Sequence, residues 1–331
     1  MLDDVSLIAL LVAMGLYAAA FIAFALDLAR RSALVADAAT VAARQPSAVG
    51  ATAARRGGGT ATLERDPVAA GPDAPVAAGR SISLNVAMVL LVVGFVVHAV
   101  ATVLRGLAAS RVPWANMYEF AMTGTLLILS VYLIVLTRRD LRFLGTFVTG
   151  LILILLGIAV VQYRVEVAPL PPSLQSYWLV IHVFVAALGT GFFALAFALS
   201  GVQLLQVRRE SLAADAKAAK MRFLATLPDS VTLESMAYRL NIVGFIFWTF
   251  TLMAGAVWAE RAWGRYWGWD TKEVWTFIIW VLYAGYIHAR ATRGWRGSRS
   301  AWLAVIGFSA VMFNFGIVNV FFKGLHTYSG L

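Results

Sequence analysis

The chain has no cysteine, which excludes disulfides, thiolate metal sites and Cys-x-x-Cys redox chemistry within it and leaves any thiol to a partner. Charge is scarce as well: 13% of the 331 residues are Asp, Glu, Lys or Arg, against 61% hydrophobic, and the mean hydropathy is +0.79. A core of that size cannot be wrapped in so little polar surface, so the expected solvent is lipid. Gly-rich phosphate loops, HExxH and GxSxG are missing too. The net charge of +10 comes with no basic face and no nucleic-acid motif, so nucleic acid is not an expected partner.

What is present is a series of long apolar runs. A bilayer core of about 30 Å takes roughly 20 apolar residues per helix. Eight runs lie near 5–28, 83–105, 118–137, 143–161, 176–207, 239–259, 273–289 and 301–322, each free of Pro and bounded by Arg, Pro or Gly clusters. The predicted fold is all-α, a polytopic integral membrane protein of about eight transmembrane helices. Residues 1–29 form the first helix, 30–82 a flexible cytosolic linker and 83–331 a seven-helix membrane domain. The linker is rich in Ala, Gly, Pro and Arg around Arg55-Arg56-Gly57-Gly58-Gly59, with no hydrophobic period. Between Arg209 and Leu227, Ala, Lys, Glu and Met predict a short amphipathic helix that Pro228 stops.

Basic residues set the orientation. With the N-terminus outside, the inner loops near 29–82, 138–142, 208–222 and 290–299 hold 19 Lys and Arg, and the outer loops and tail hold 7. Both termini are thus expected on the outer face of the cell membrane. Asp3 and Asp4 stand where a secretory signal carries basic residues, and Arg30 and Arg31 follow the first run as a stop-transfer flank does. The first helix is therefore read as an anchor.

Six of the 11 tryptophans, Trp258, Trp263, Trp267, Trp269, Trp275 and Trp280, fall within 23 residues around one outer loop, 260–274. An interfacial belt accounts for any single one of them. Belts do not concentrate in one loop, so the cluster predicts a flat aromatic platform for a planar apolar ligand. The four histidines all lie in or beside membrane runs. His182 and His326 share the outer level, His98 sits inside the second run and His288 lies near the inner end of the seventh, about 20 Å below the outer surface at 1.5 Å per residue. Intramembrane ionisable residues need partners, and neutral imidazole is a common haem-iron ligand. Asp270 and Glu273 sit where a carboxylate caps a helix, and Glu119 is placed to cap the third helix or orient a ligand. Arg261, Arg265 and Lys272 are candidates to pair with haem propionates or lipid headgroups.

The segment Trp263-Gly264-Arg265-Tyr266-Trp267-Gly268-Trp269-Asp270-Thr271-Lys272-Glu273 resembles the WWD signature of the CcsA/ResC family of System II cytochrome c maturation, with Thr271 in place of the usual Pro. Pro113-Trp114-Ala115-Asn116-Met117-Tyr118-Glu119 and Leu325-His326-Thr327-Tyr328 are similar to two further motifs of that family, and the resemblance covers roughly 83–331. It implies an outer haem b (iron protoporphyrin IX) ligated by His182 and His326 and presented by the WWD loop through Trp263, Arg265, Tyr266, Trp267, Trp269 and Asp270. It further implies an inner haem site on His288, with His98 as its partner. The implied partners are a CcsB/ResB-like membrane protein and apocytochrome c, whose Cys-x-x-Cys-His thiols add to the haem vinyls. Two other classes compete: a bis-His electron-transfer cytochrome, which needs haem pairs at matched depths, and a solute transporter, which needs midplane charges that the runs lack apart from Asp27.

Overall fold

The computed structural model describes residues 1–44, 81–170, 174–212, 221, 223–292, 294–322 and 324–326. All regular structure among them is helical: α1 Leu2–Arg44, α2 Ile82–Ala109, α3 Met117–Leu136, α4 Gly145–Gln162, α5 Tyr177–Ser211, α6 Ser230–Trp263, α7 Thr271–Thr292 and α8 Ser298–Phe313. The last continues through a π-turn, Asn314–Val318, into a final short turn, Asn319–Phe321. Seven of the eight long helices are apolar enough over 18 residues to cross a membrane. α7 has the length, but Trp275, Trp280, Tyr283 and Tyr286 stand in it where aliphatic residues would raise the hydropathy.

Side-chain caps mark the starts. Ser81, Asn116, Ser176 and Asp229 accept the free N–H groups that open α2, α3, α5 and α6. Two boundaries differ from the hydropathy reading. α1 runs on to Arg44, well into the expected linker, because Asp27 and Arg31 pair at 2.8 Å one turn apart and an Ala-rich stretch of high helix propensity follows. α6 begins at Ser230 and not near 239, because Asp229 accepts the Thr232 amide at 2.8 Å and Leu233, Glu234 and Ala237 are buried on the first turns. Residues 45–80 of the expected linker, and residues 213–220 and 222 of the amphipathic stretch between Arg209 and Leu227, lie outside the described residues.

Packing follows sequence neighbours, with α1 against α2 and α5 against α6, while α5 also meets α3 and α8, and α7 meets α6 and α8. Leu10, Ala13, Tyr17, Ala20 and Phe24 form a buried stripe of alternating three- and four-residue spacing on α1, facing Leu84, Ala87 and Leu91 of α2. The first helix is thus built into the same core as the rest. Valines such as Val89, Val96 and Val103 point outward, while Asn241, Thr149 and Gln203 are buried. Lipid offers apolar side chains no reason to hide, so small residues and buried polar contacts hold the helices together.

At one end of the bundle a charged knot ties four elements. Arg105, fully buried near the end of α2, donates to Asp3 of α1, to Glu119 of α3 at 3.0 Å and to the Val165 carbonyl after α4 at 2.9 Å. Arg111 binds the other Glu119 oxygen at 2.6 Å. Asn116 caps α3 by accepting the Glu119 amide at 2.9 Å, and Glu119, the hub of this knot, also reaches back to accept the Ala115 amide at 3.0 Å.

Candidate functional site

The tryptophan loop is clamped at both ends. Gly264 closes α6 at φ +71°, a conformation costly for other residues, and its N–H reaches the Glu260 carbonyl at 2.8 Å. At the other end, Glu273 folds back to accept the Gly268 and Asp270 amides at 2.8 and 3.1 Å, and Asp270 accepts the Lys272 amide at 3.3 Å. This reciprocal arrangement is a capping box at the start of α7.

Behind the loop lies an apolar cavity whose wall includes His182, His326, Trp258, Trp267, Tyr266 and Lys272. His182 comes from the first turns of α5 and lies on α6, where Gly255 leaves it room: a Cβ at Gly255 would sit 2.8 Å from the imidazole Cε1. Its Nδ1 is 3.0 Å from the Thr251 carbonyl. A carbonyl only accepts, so Nδ1 carries the proton and Nε2 keeps its lone pair. His326, beyond α8, has its Nδ1 2.7 Å from Asp270 Oδ2, which puts it in the same tautomer. The other Asp270 oxygen accepts the Leu325 amide at 3.1 Å. The hydrogen bond from His326 holds the Asp270 carboxyl below the usual carboxylate range.

The tryptophans divide into three sets and do not make one flat surface. Trp258 is fully buried against both histidines, stacked on His182 at 5.8 Å and edge-on to His326 at 5.4 Å, with Trp263 5.0 Å from His326. Trp267 faces the cavity, whereas Trp269 stands perpendicular to it at 89°, is 77% exposed and holds φ +58°. Trp275 packs on Phe313, and Trp280 donates to Thr249 at 3.0 Å, so both join helices inside the bundle. Tyr266 and Arg265 are exposed beside Trp269.

The inner pair of histidines does not meet. His98 is fully buried on α2, with Nδ1 3.2 Å from the Tyr17 hydroxyl of α1. His288 is exposed on α7, which packs against α6 and α8. Neither lines the cavity. Helical rise places residues by depth alone, and the two differ in the face they present.

Sequence reading missed Thr251 and Gly255 as the seat of His182, and Asn314 and Asn319 as partners of Lys272. Two asparagines in an apolar run were the available signal for the last pair. Among the described residues no three His, Cys, Asp or Glu side chains gather to hold a free metal ion. Two imidazoles complete an iron when a porphyrin supplies its other four nitrogens, and an apolar cavity with aromatic walls suits such a ring. The donor set at His182 and His326 therefore fits haem.

Residues 114–326 match the family model described as cytochrome C assembly protein, a span that begins at Trp114, ends at His326 and omits His98. The chain is 36% identical over 245 residues to the cytochrome c biogenesis protein CcsA of Guillardia theta, covering 69% of this chain and 80% of that one. It is 34% identical over 257 residues to the CcsA protein of Chlorella vulgaris, covering 69% and 81%. Among solved structures it resembles a cytochrome c heme lyase CcmF with a TM-score of 0.62 at 14% identity. That likeness spans 95% of this chain and 46% of the other, so it concerns the fold over about half of the larger protein.

Proposed function

The chain belongs to the cytochrome C assembly protein family, and from that premise we propose that it binds haem b between His182 and His326 and presents it at the outer face of the cell membrane to apocytochrome c. The observation that carries the reading is the matched pair of imidazoles in one cavity, each with Nδ1 engaged and Nε2 free to ligate. When bound, the haem supplies vinyl groups, across each of which a Cys thiol of a Cys-x-x-Cys-His segment adds its sulfur and its hydrogen. The chain's own residues hold and orient. Thr251 and Asp270 lock the two rings, as outer partners of metal-bound histidines do. Trp258 and Trp263 fill the space around the imidazoles, and Trp267 forms a wall of the ring pocket. A bulky residue in left-handed backbone is costly. Trp269 carries that cost with its indole in the open, as a docking contact for the apocytochrome requires. No side chain is needed to move a proton, so positioning accounts for most of the rate. A CcsB/ResB-like membrane protein completes the assembly.

The electron-carrier reading is disfavoured because His98 and His288 do not form a second pair. The test is the optical spectrum of the purified protein, as isolated and reduced. A bis-imidazole haem is expected, lost in His182→Ala or His326→Ala and partly restored by added imidazole. An unchanged haem spectrum in the double variant would end the proposal.

A further inference from the structure

Lys272 is the only one of the three basic candidates around the loop that reaches the cavity. Arg261 is exposed and faces Glu260 at 3.5 Å, and Arg265 lies exposed over Gly268. Lys272, one residue into α7, lines the cavity with its ammonium turned to the end of α8. There Nζ donates to the Asn314 carbonyl at 3.0 Å and to Asn319 Oδ1 at 2.6 Å. Both partners are neutral, and among the described residues no carboxylate lies within ion-pair distance of it, because Asp270 is turned to His326 and Glu273 to the loop amides. The Asn314 carbonyl belongs to the π-turn, a ladder defect often found at functional sites. Asn314 is itself buried on the cavity wall, with one end of its side-chain amide lacking any partner.

A cation among apolar walls is costly unless an anion shares its site. The rest of the wall here includes Phe120, Leu252, Val311 and Phe315. We infer that Lys272, framed by Asn314 and Asn319, is the receptor for one carboxylate of the ligand, which rests on the reading of the cavity as a haem site and assigns to it a haem propionate. The carboxylate would complete the ammonium's third hydrogen bond. The cavity then holds the porphyrin in one rotation, with one propionate edge toward the end of α8.

Optical titration of the detergent-purified chain with iron protoporphyrin IX and with its dimethyl ester tests this directly. Wild type is expected to prefer the free acid by roughly tenfold or more, the loss of one charge-assisted contact. Lys272→Met should bind both porphyrins alike. Asn319→Asp, which keeps the lysine and gives it an internal counter-ion, should also lose the preference and covers the case in which Lys272→Met does not fold. Equal binding of acid and ester by wild type, or a preference that survives in either variant, overturns the assignment. If His182→Ala and His326→Ala instead bind both porphyrins as wild type does, the haem site itself is wrong, and that outcome is separate.

Discussion

Asp270 and His326 lie 56 residues apart and are joined by a 2.7 Å hydrogen bond that ties the segment after α8 to the loop before α7. The contact makes Asp270 more than a helix cap. One carboxylate caps α7 through the Lys272 amide, fixes the tautomer of His326 and holds Leu325, so loop, helix and histidine share a support.

The first prediction concerns that bond. A cap alone would lower stability by about 1 kcal/mol on Asp270→Ala. An orienting partner of a metal-bound histidine changes ligand affinity by about 10- to 100-fold. Haem per protein, compared at equal abundance in Asp270→Ala and wild type, should fall by the larger amount. A melting shift with unchanged haem content would reduce Asp270 to a cap.

Gly255→Ala should act on His182. The added methyl would meet the imidazole at 2.8 Å, against helix backbone that cannot retreat, so the ring turns away from the cavity. Haem retention should drop while the far-ultraviolet spectrum stays helical. Gly264→Ala serves as contrast: it meets no atom but holds φ +71°, so it should cost about 1 kcal/mol of stability and leave affinity unchanged.

Trp267 and Trp269 should separate in their effects. Trp267→Phe removes wall from the cavity and should weaken haem binding about fivefold, the loss of roughly 1 kcal/mol of ring contact. Trp269→Phe should leave haem content unchanged and lower attachment to apocytochrome c. Trp302→Phe, on an exposed position of α8, should change neither. Equal damage from all three would make these tryptophans membrane anchors.

Glu119→Gln should be the most destabilising of these substitutions. It leaves Arg105 fully buried without its full complement of charge, and removing one member of a buried pair costs about 3–5 kcal/mol. Protein level and thermal denaturation in detergent measure it. A change below about 1 kcal/mol would show that Asp3 alone balances Arg105.

Orientation is tested on the cysteine-free background. Arg265 is exposed, so Arg265→Cys should react with an impermeant maleimide in intact cells. Labelling only after lysis would invert the topology.

That His182 and His326 lie at the same end of the bundle as the tryptophan loop was legible in the sequence, because residue type and position along each helix are both written there. His182 and His326 needed only to be at the same end. The pairing of His98 with His288 was not legible, because depth says nothing about azimuth. One imidazole turned to Tyr17 inside the α1–α2 seam and the other turned out of the bundle. The tryptophans misled in a related way, since clustering in sequence was read as one surface, and helix packing sent Trp275 and Trp280 inward.

Composition alone determined that this chain is helical and lives in lipid, because hydropathy is a local, additive property and an apolar run in a bilayer must satisfy its own backbone hydrogen bonds. Which imidazole nitrogen is free, which lysine stands against the cavity and which carboxylate orients a histidine were decided only by the tertiary structure. Each depends on the direction of a side chain and on a partner tens of residues away, and no local pattern encodes either.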